Sequence, residues 1–70
     1  MKDNKFYKAL HTRLQSKIDA GTATLQLYLT NPSAVADHSA LVDEMEKILS
    51  SISEAEDSLE KLEKYFGKNI

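Results

Sequence analysis

The chain has 70 residues, 41% of them hydrophobic and 29% charged, with a net charge of −2 and no cysteine. That length allows one small domain, residues 1–70, able to bury only roughly 60% of its unfolded surface, and the composition is too apolar for a disordered chain. Missing cysteines exclude a disulfide frame or thiolate metal site, the near-neutral charge gives no global pull toward nucleic acid, and no apolar run exceeds three residues (Leu27-Tyr28-Leu29), against roughly 20 for a bilayer span.

Residues 1–20 carry scattered Lys and Arg but no apolar block of signal-peptide type, so the expected location is the cytoplasm. Two Gly and one Pro argue against a turn-rich β fold.

The first predicted element is a helix over about residues 3–30. Phe6, Tyr7, Leu10, Leu14, Ile18, Gly21, Leu25 and Tyr28 recur at spacings of three and four, which puts them on one helical face, and Asp3 or Asn4 can cap its start. Against this, Thr22 to Thr30 alternates with period two and is rich in β-formers. Gly21 and three threonines cost a helix about 2–3 kcal/mol in summed propensity. A break near Gly21, or a strand over 22–30, is therefore the alternative. A single strand needs a partner and the chain offers none, so the helix is preferred.

The strongest break is Thr30-Asn31-Pro32-Ser33. Asn31 suits an N-cap, and proline at the first helical position loses no hydrogen bond, because its missing N–H would have had no partner there. A second helix is predicted over about 32–66, roughly 50 Å long at 1.5 Å per residue. Asp37 lies near its first turns, with Asp43 and Glu44 further on. His38, Met45, Ile52, Leu59 and Phe66 recur every seven residues, and Leu41, Ile48, Ala55 and Leu62 form a companion row. This is a heptad seam, widened by Val42 and Leu49. Asp43 with Lys47, Asp57 with Lys61 and Glu60 with Lys64 have the favourable acid-first i,i+4 order. Gly67 is the expected C-cap.

A turn at Asn31-Pro32 makes the helices an antiparallel hairpin in which facing residue numbers add to about 63. Leu14 then meets Ile48 and Leu49, and Gly21 makes a close approach to Leu41 and Val42. Residues 1–30 carry five Lys/Arg and two Asp, residues 31–70 four Lys and nine Asp/Glu, so opposite charge favours the pairing. In this register helix two outruns helix one, leaving Leu62, Tyr65 and Phe66 without opposite numbers. Phe6, Tyr7, Leu27, Leu29, Val42 and Leu49 also widen the apolar face beyond one seam. Exposed apolar surface of that kind marks an interface. The fold expected is all-α: a two-helix hairpin dimerising into a four-helix bundle, with Phe6, Tyr7, Leu49, Leu59, Leu62, Tyr65 and Phe66 at the interface. A helix of another protein is the other candidate occupant. Within one chain, the alternative is that Tyr65 and Phe66 fold back onto Phe6 and Tyr7.

Little in the chain carries chemistry. Gly21 and Gly67 lie too far apart for a phosphate loop. His11 and His38 have no zinc or di-iron spacing; His38, in the seam, is a partly exposed interface histidine or a pH-sensitive contact. The acidic groups Asp43, Glu44, Glu46 and Glu54, Glu56, Asp57 read as a solvated face, and no serine sits in a nucleophile elbow. No enzyme, cofactor, metal or membrane association is expected. Lys2, Lys5, Lys8, Arg13 and Lys17 make the first helix basic, which supports nucleic-acid binding as a second, weaker reading.

The segments Asp37 to Leu49, Glu54 to Leu59 and Leu62 to Phe66, with Phe6-Tyr7 and Leu27 to Pro32, resemble short uncharacterised helical proteins of marine tailed bacteriophages. The resemblance implies a small accessory protein made in an infected bacterium, in the host cytoplasm. It brings no activity and no functional residues.

Overall fold

The computed structural model describes residues 1–31 and 40–68. Two helices account for nearly all of them: α1, Lys5–Thr30, and α2, Leu41–Phe66. They lie side by side in a rod of 50 × 16 × 15 Å, and the described residues contain no strand.

Asn4 starts α1. Its backbone is extended (φ −69°, ψ 136°) and its side-chain oxygen accepts from the backbone N–H groups of Phe6 at 2.8 Å and Tyr7 at 3.2 Å. Two amides with no carbonyl to pair with inside the helix are thereby satisfied. The helix then runs unbroken through Gly21 and the threonine-rich stretch, which settles the alternatives of a break or a strand there. The Oγ1 of Thr22 donates to Asp19 O at 3.1 Å, Thr24 to Ala20 O at 2.8 Å, and Thr30 to Gln26 O at 2.8 Å. Each hydroxyl thus finds a partner on the preceding turn. Leu25 and Tyr28 meanwhile turn into the seam, so packing prevails over strand propensity.

α2 begins at Leu41, with Ala40 as a cap that offers no side-chain hydrogen bond (φ −103°, ψ 7°). Pro32, Asp37 and His38, to which the sequence assigned the helix start, an acidic first turn and a seam position, lie outside the described residues. Asp43 and Glu44 occupy the first turn of α2, where their charge suits the positive end of the helix. Gly67 closes α2 as expected, its N–H bonded to Glu63 O at 3.0 Å. Its backbone stays right-handed (φ −82°), so the demand for glycine comes from space. A Cβ there would meet Glu63 O at 2.5 Å and the Tyr7 hydroxyl at 3.1 Å.

The inward residues of α1 are Tyr7, His11, Leu14, Ile18, Gly21, Leu25 and Tyr28; those of α2 are Leu41, Met45, Ile48, Ile52, Ala55, Leu59 and Leu62. Spacings of three and four alternate without interruption on both helices, which keeps each row facing its neighbour. Only Ile52, Ala55 and Leu59 are buried; the rest are half-covered.

The register differs from the sequence expectation. A Cβ on Gly21 would stand 2.7 Å from Ile52 Cγ1, and His11 Nε2 lies 3.3 Å from Glu63 Oε2. Facing residue numbers therefore add to 73 or 74, not 63. The cause is the length of the connection: the helix ends are Thr30 and Leu41, and a hairpin folded sharply at Asn31-Pro32 leaves no residues between them. Gly21 is a close-approach point as predicted, but against Ile52 and Ile48 rather than Leu41 and Val42. The shift also removes the overhang. Met1 donates its terminal ammonium to Lys68 O at 3.1 Å, so the C-terminal turn of α2 lies beside the start of α1. Leu62 and Phe66 share one apolar depression with Met1, Phe6, Tyr7 and Leu10.

Candidate interaction surface

Facing helices leave two long sides of the hairpin open. Down one side, three depressions follow one another. Nearest the termini, Met1, Phe6, Leu10, Leu62 and Phe66 line an almost wholly apolar hollow. The middle is lined by Leu14, Lys17, Ala20, Ser51, Glu54, Ala55 and Ser58. Toward the connection, Thr24, Glu44, Lys47 and Ser51 add polar and charged groups to a lining that also holds Ala20, Gly21 and Ile48. Small residues in the middle keep the groove open, because they add no bulk where the helices touch.

The opposite side carries Lys2, Tyr7, Lys8, His11, Thr12 and Glu63 near the termini. Here the His11 ring, one-third exposed, has Glu63 at 3.3 Å and the Tyr7 ring 5.8 Å away at a tilt of 38°. An N–H on Nε2 donates to the carboxylate. At the connection end, the helical spacing of Leu29, Val42 and Leu49 places them on this same side, exposed at 62%, 76% and 54%.

The interface residues expected from sequence are thus not one patch. Phe6 (86% exposed), Tyr7, Leu62 and Phe66 (48%) are brought together, with Tyr65 (61%) beside them. Leu49 is on the far side near the other end of the rod. Leu59 is buried in the seam and belongs to the hairpin's own core. Apolar patterning alone does not pick out His11 as a seam residue, although the alternating intervals of four and three from Tyr7 to Leu14 fall on it.

Charged residues mostly face water. Of the three expected i,i+4 pairs, Asp57 with Lys61 closes, the ammonium donating at 2.9 Å. That hydrogen bond, then the charges of Asp57 and Glu60, raises the Lys61 pKa above its ordinary 10.5. Asp43–Lys47 and Glu60–Lys64 stay apart, and the Lys64 ammonium sits 5.4 Å from the centroid of the Tyr65 ring. The basic residues of α1 do not form a single stripe: Lys8 lines one side of the hairpin and Lys17 the other. Among the described residues no three His, Cys, Asp or Glu are grouped to hold a metal ion, and no helix is long and apolar enough to cross a membrane.

Comparison with protein-family models, curated proteins and solved structures returned no match.

Proposed function

We propose that the chain is a non-enzymatic helical interaction module that works by self-association, its hairpins pairing into a four-helix bundle. The resemblance to phage proteins makes an accessory role in an infected bacterium the accompanying proposal. One observation carries the reading: three residues of the described chain are buried, while nine large hydrophobic side chains stay exposed. A lone pair of helices has a single seam and cannot cover its own flanks, and clustered apolar flanks are characteristic of surfaces that meet another protein. The overhang inferred from sequence plays no part in this argument; the flanks themselves supply the exposed surface.

Light scattering over a concentration series tests the proposal. The expected mass rises from that of one 7.9 kDa chain toward that of two. A mass that stays at one chain up to the highest soluble concentration removes it.

A further inference from the structure

The side of the hairpin bearing the three aligned depressions has features that select both an occupant and its orientation. Its most apolar part is the terminal end, around Phe6, Leu10, Leu62 and Phe66, whereas its connection end adds the charges of Glu44 and Lys47 and the hydroxyls of Thr24 and Ser51 to a lining that also holds Ala20, Gly21 and Ile48, with Leu27 exposed beside it. A partner that extends over the whole side must be apolar at the terminal end and must leave Glu44 and Lys47 with polar neighbours or water at the other. A second copy of this chain, lying with its termini at the same end, is such a partner. Turned end for end, it would press the apolar hollow onto Glu44 and Lys47 and desolvate charges without compensation.

The helices differ in charge, which decides which meets which. α1 carries four Lys/Arg and one Asp; α2 carries three Lys and eight Asp/Glu. Setting α1 on the partner's α1, which the end-for-end orientation requires, would oppose +3 to +3, while setting it on the partner's α2 opposes +3 to −5 and brings Lys17 level with Glu54 of the second copy. Ala20, Ser51, Ala55 and Ser58 along the middle allow the helices to come close. Area is also sufficient. A side of 50 by 16 Å offers about 800 Å² in projection, close to what each partner contributes to a standard-size interface.

Resting on the self-association reading, we propose that a second copy of this chain occupies this groove about a two-fold axis along the rod, with α1 against the partner's α2, like helices diagonal, and the two apolar hollows joined at one end.

The chain contains no cysteine, so Lys2→Cys gives a single spin-label position in the full chain. Electron–electron distance measurement on the associated form should give a separation of about two hairpin widths of 16 Å, whereas the end-for-end arrangement gives nearly the full 50 Å. Leu10→Glu and Val42→Glu, both exposed in the single hairpin, form the second arm, with helicity checked by circular dichroism. Leu10→Glu should weaken association about a hundredfold, as loss of a buried anchor does, and Val42→Glu should leave it unchanged. If the unmodified chain stays monomeric, self-association itself fails and this inference fails with it. If the chain associates but the labels lie a rod length apart, or Val42→Glu is the variant that dissociates it, only the arrangement proposed here is overturned.

Discussion

Replacing Gly21 by alanine tests the packing of the hairpin most sharply, because two effects of known sign compete at that position. In an exposed helix interior Gly→Ala stabilises by about 0.8–1.0 kcal/mol. Here the added Cβ would stand 2.7 Å from Ile52 Cγ1 and 3.2 Å from Cδ1, where carbon atoms in contact prefer about 3.5–4.0 Å. Cγ1 lies close to the backbone and has no free rotation away, so the helices must part by several tenths of an ångström or Ile52 must leave its rotamer. Overpacking of this kind costs about 1–3 kcal/mol. The steric term exceeds the propensity term, and Gly21→Ala should destabilise by about 1 kcal/mol net, a fall in Tm of roughly 4–8 °C for a domain this small. In an Ile52→Ala background the obstructing atoms are gone and the same change should stabilise by nearly 1 kcal/mol, so the two substitutions couple by about 2 kcal/mol. Thermal unfolding followed by circular dichroism, at one fixed chain concentration and with an osmolyte to keep the Ile52→Ala variants folded, measures all four corners. A stabilising Gly21→Ala in the native background, additive with Ile52→Ala, would refute the close approach and with it the register.

Asn4→Ala leaves two N–H groups at the start of α1 without their side-chain acceptor and should cost about 1 kcal/mol, read as a lower Tm; Asn4→Asp, which keeps the acceptor, should recover most of it. Lys61, followed by NMR through its side-chain nitrogen, should titrate above the ordinary 10.5 and fall back toward it in Asp57→Asn, where only the charge of Glu60 still raises it. Its raised pKa means that whatever it adds to helix stability is present below 10.5 and lost as pH rises through the folded value. Since both partners face solvent, neither Lys61→Gln nor Asp57→Asn should move the melting midpoint measurably at neutral pH.

Local pattern carried much of the fold. The alternating intervals of Leu14, Ile18, Gly21, Leu25 and Tyr28, and of Met45, Ile48, Ile52, Ala55 and Leu59, were legible because a helix turns by a fixed angle per residue, whatever its surroundings. Asn4 as a cap followed from its side chain alone. Register could not be read in that way. It depends on where two distant helix ends fall, and Asn31-Pro32 signals a break without giving the length of the connection after it. Placing α2 at Pro32 moved every facing pair by ten positions and created an overhang at Tyr65 and Phe66 that the structure does not have. The candidate surface was half legible. Phe6, Tyr7, Leu62, Tyr65 and Phe66 cluster near the termini because the helix ends meet there, which is the alternative of Phe66 lying against Phe6 and Tyr7 within one chain rather than an overhang. Leu49 and Leu59 do not join them: one sits on the opposite flank and the other in the seam, distinctions that require knowing which side of each helix the partner helix occupies.

The central claim is that these helices hide too little apolar surface on their own and gain stability by association. Its most direct test is the melting temperature of the unmodified chain as a function of its concentration, because association linked to folding makes Tm depend on concentration by mass action. The account predicts a Tm that climbs steadily with each tenfold increase in chain. A midpoint that stays constant from dilute to concentrated solution, with a sharp and reversible transition, would contradict it.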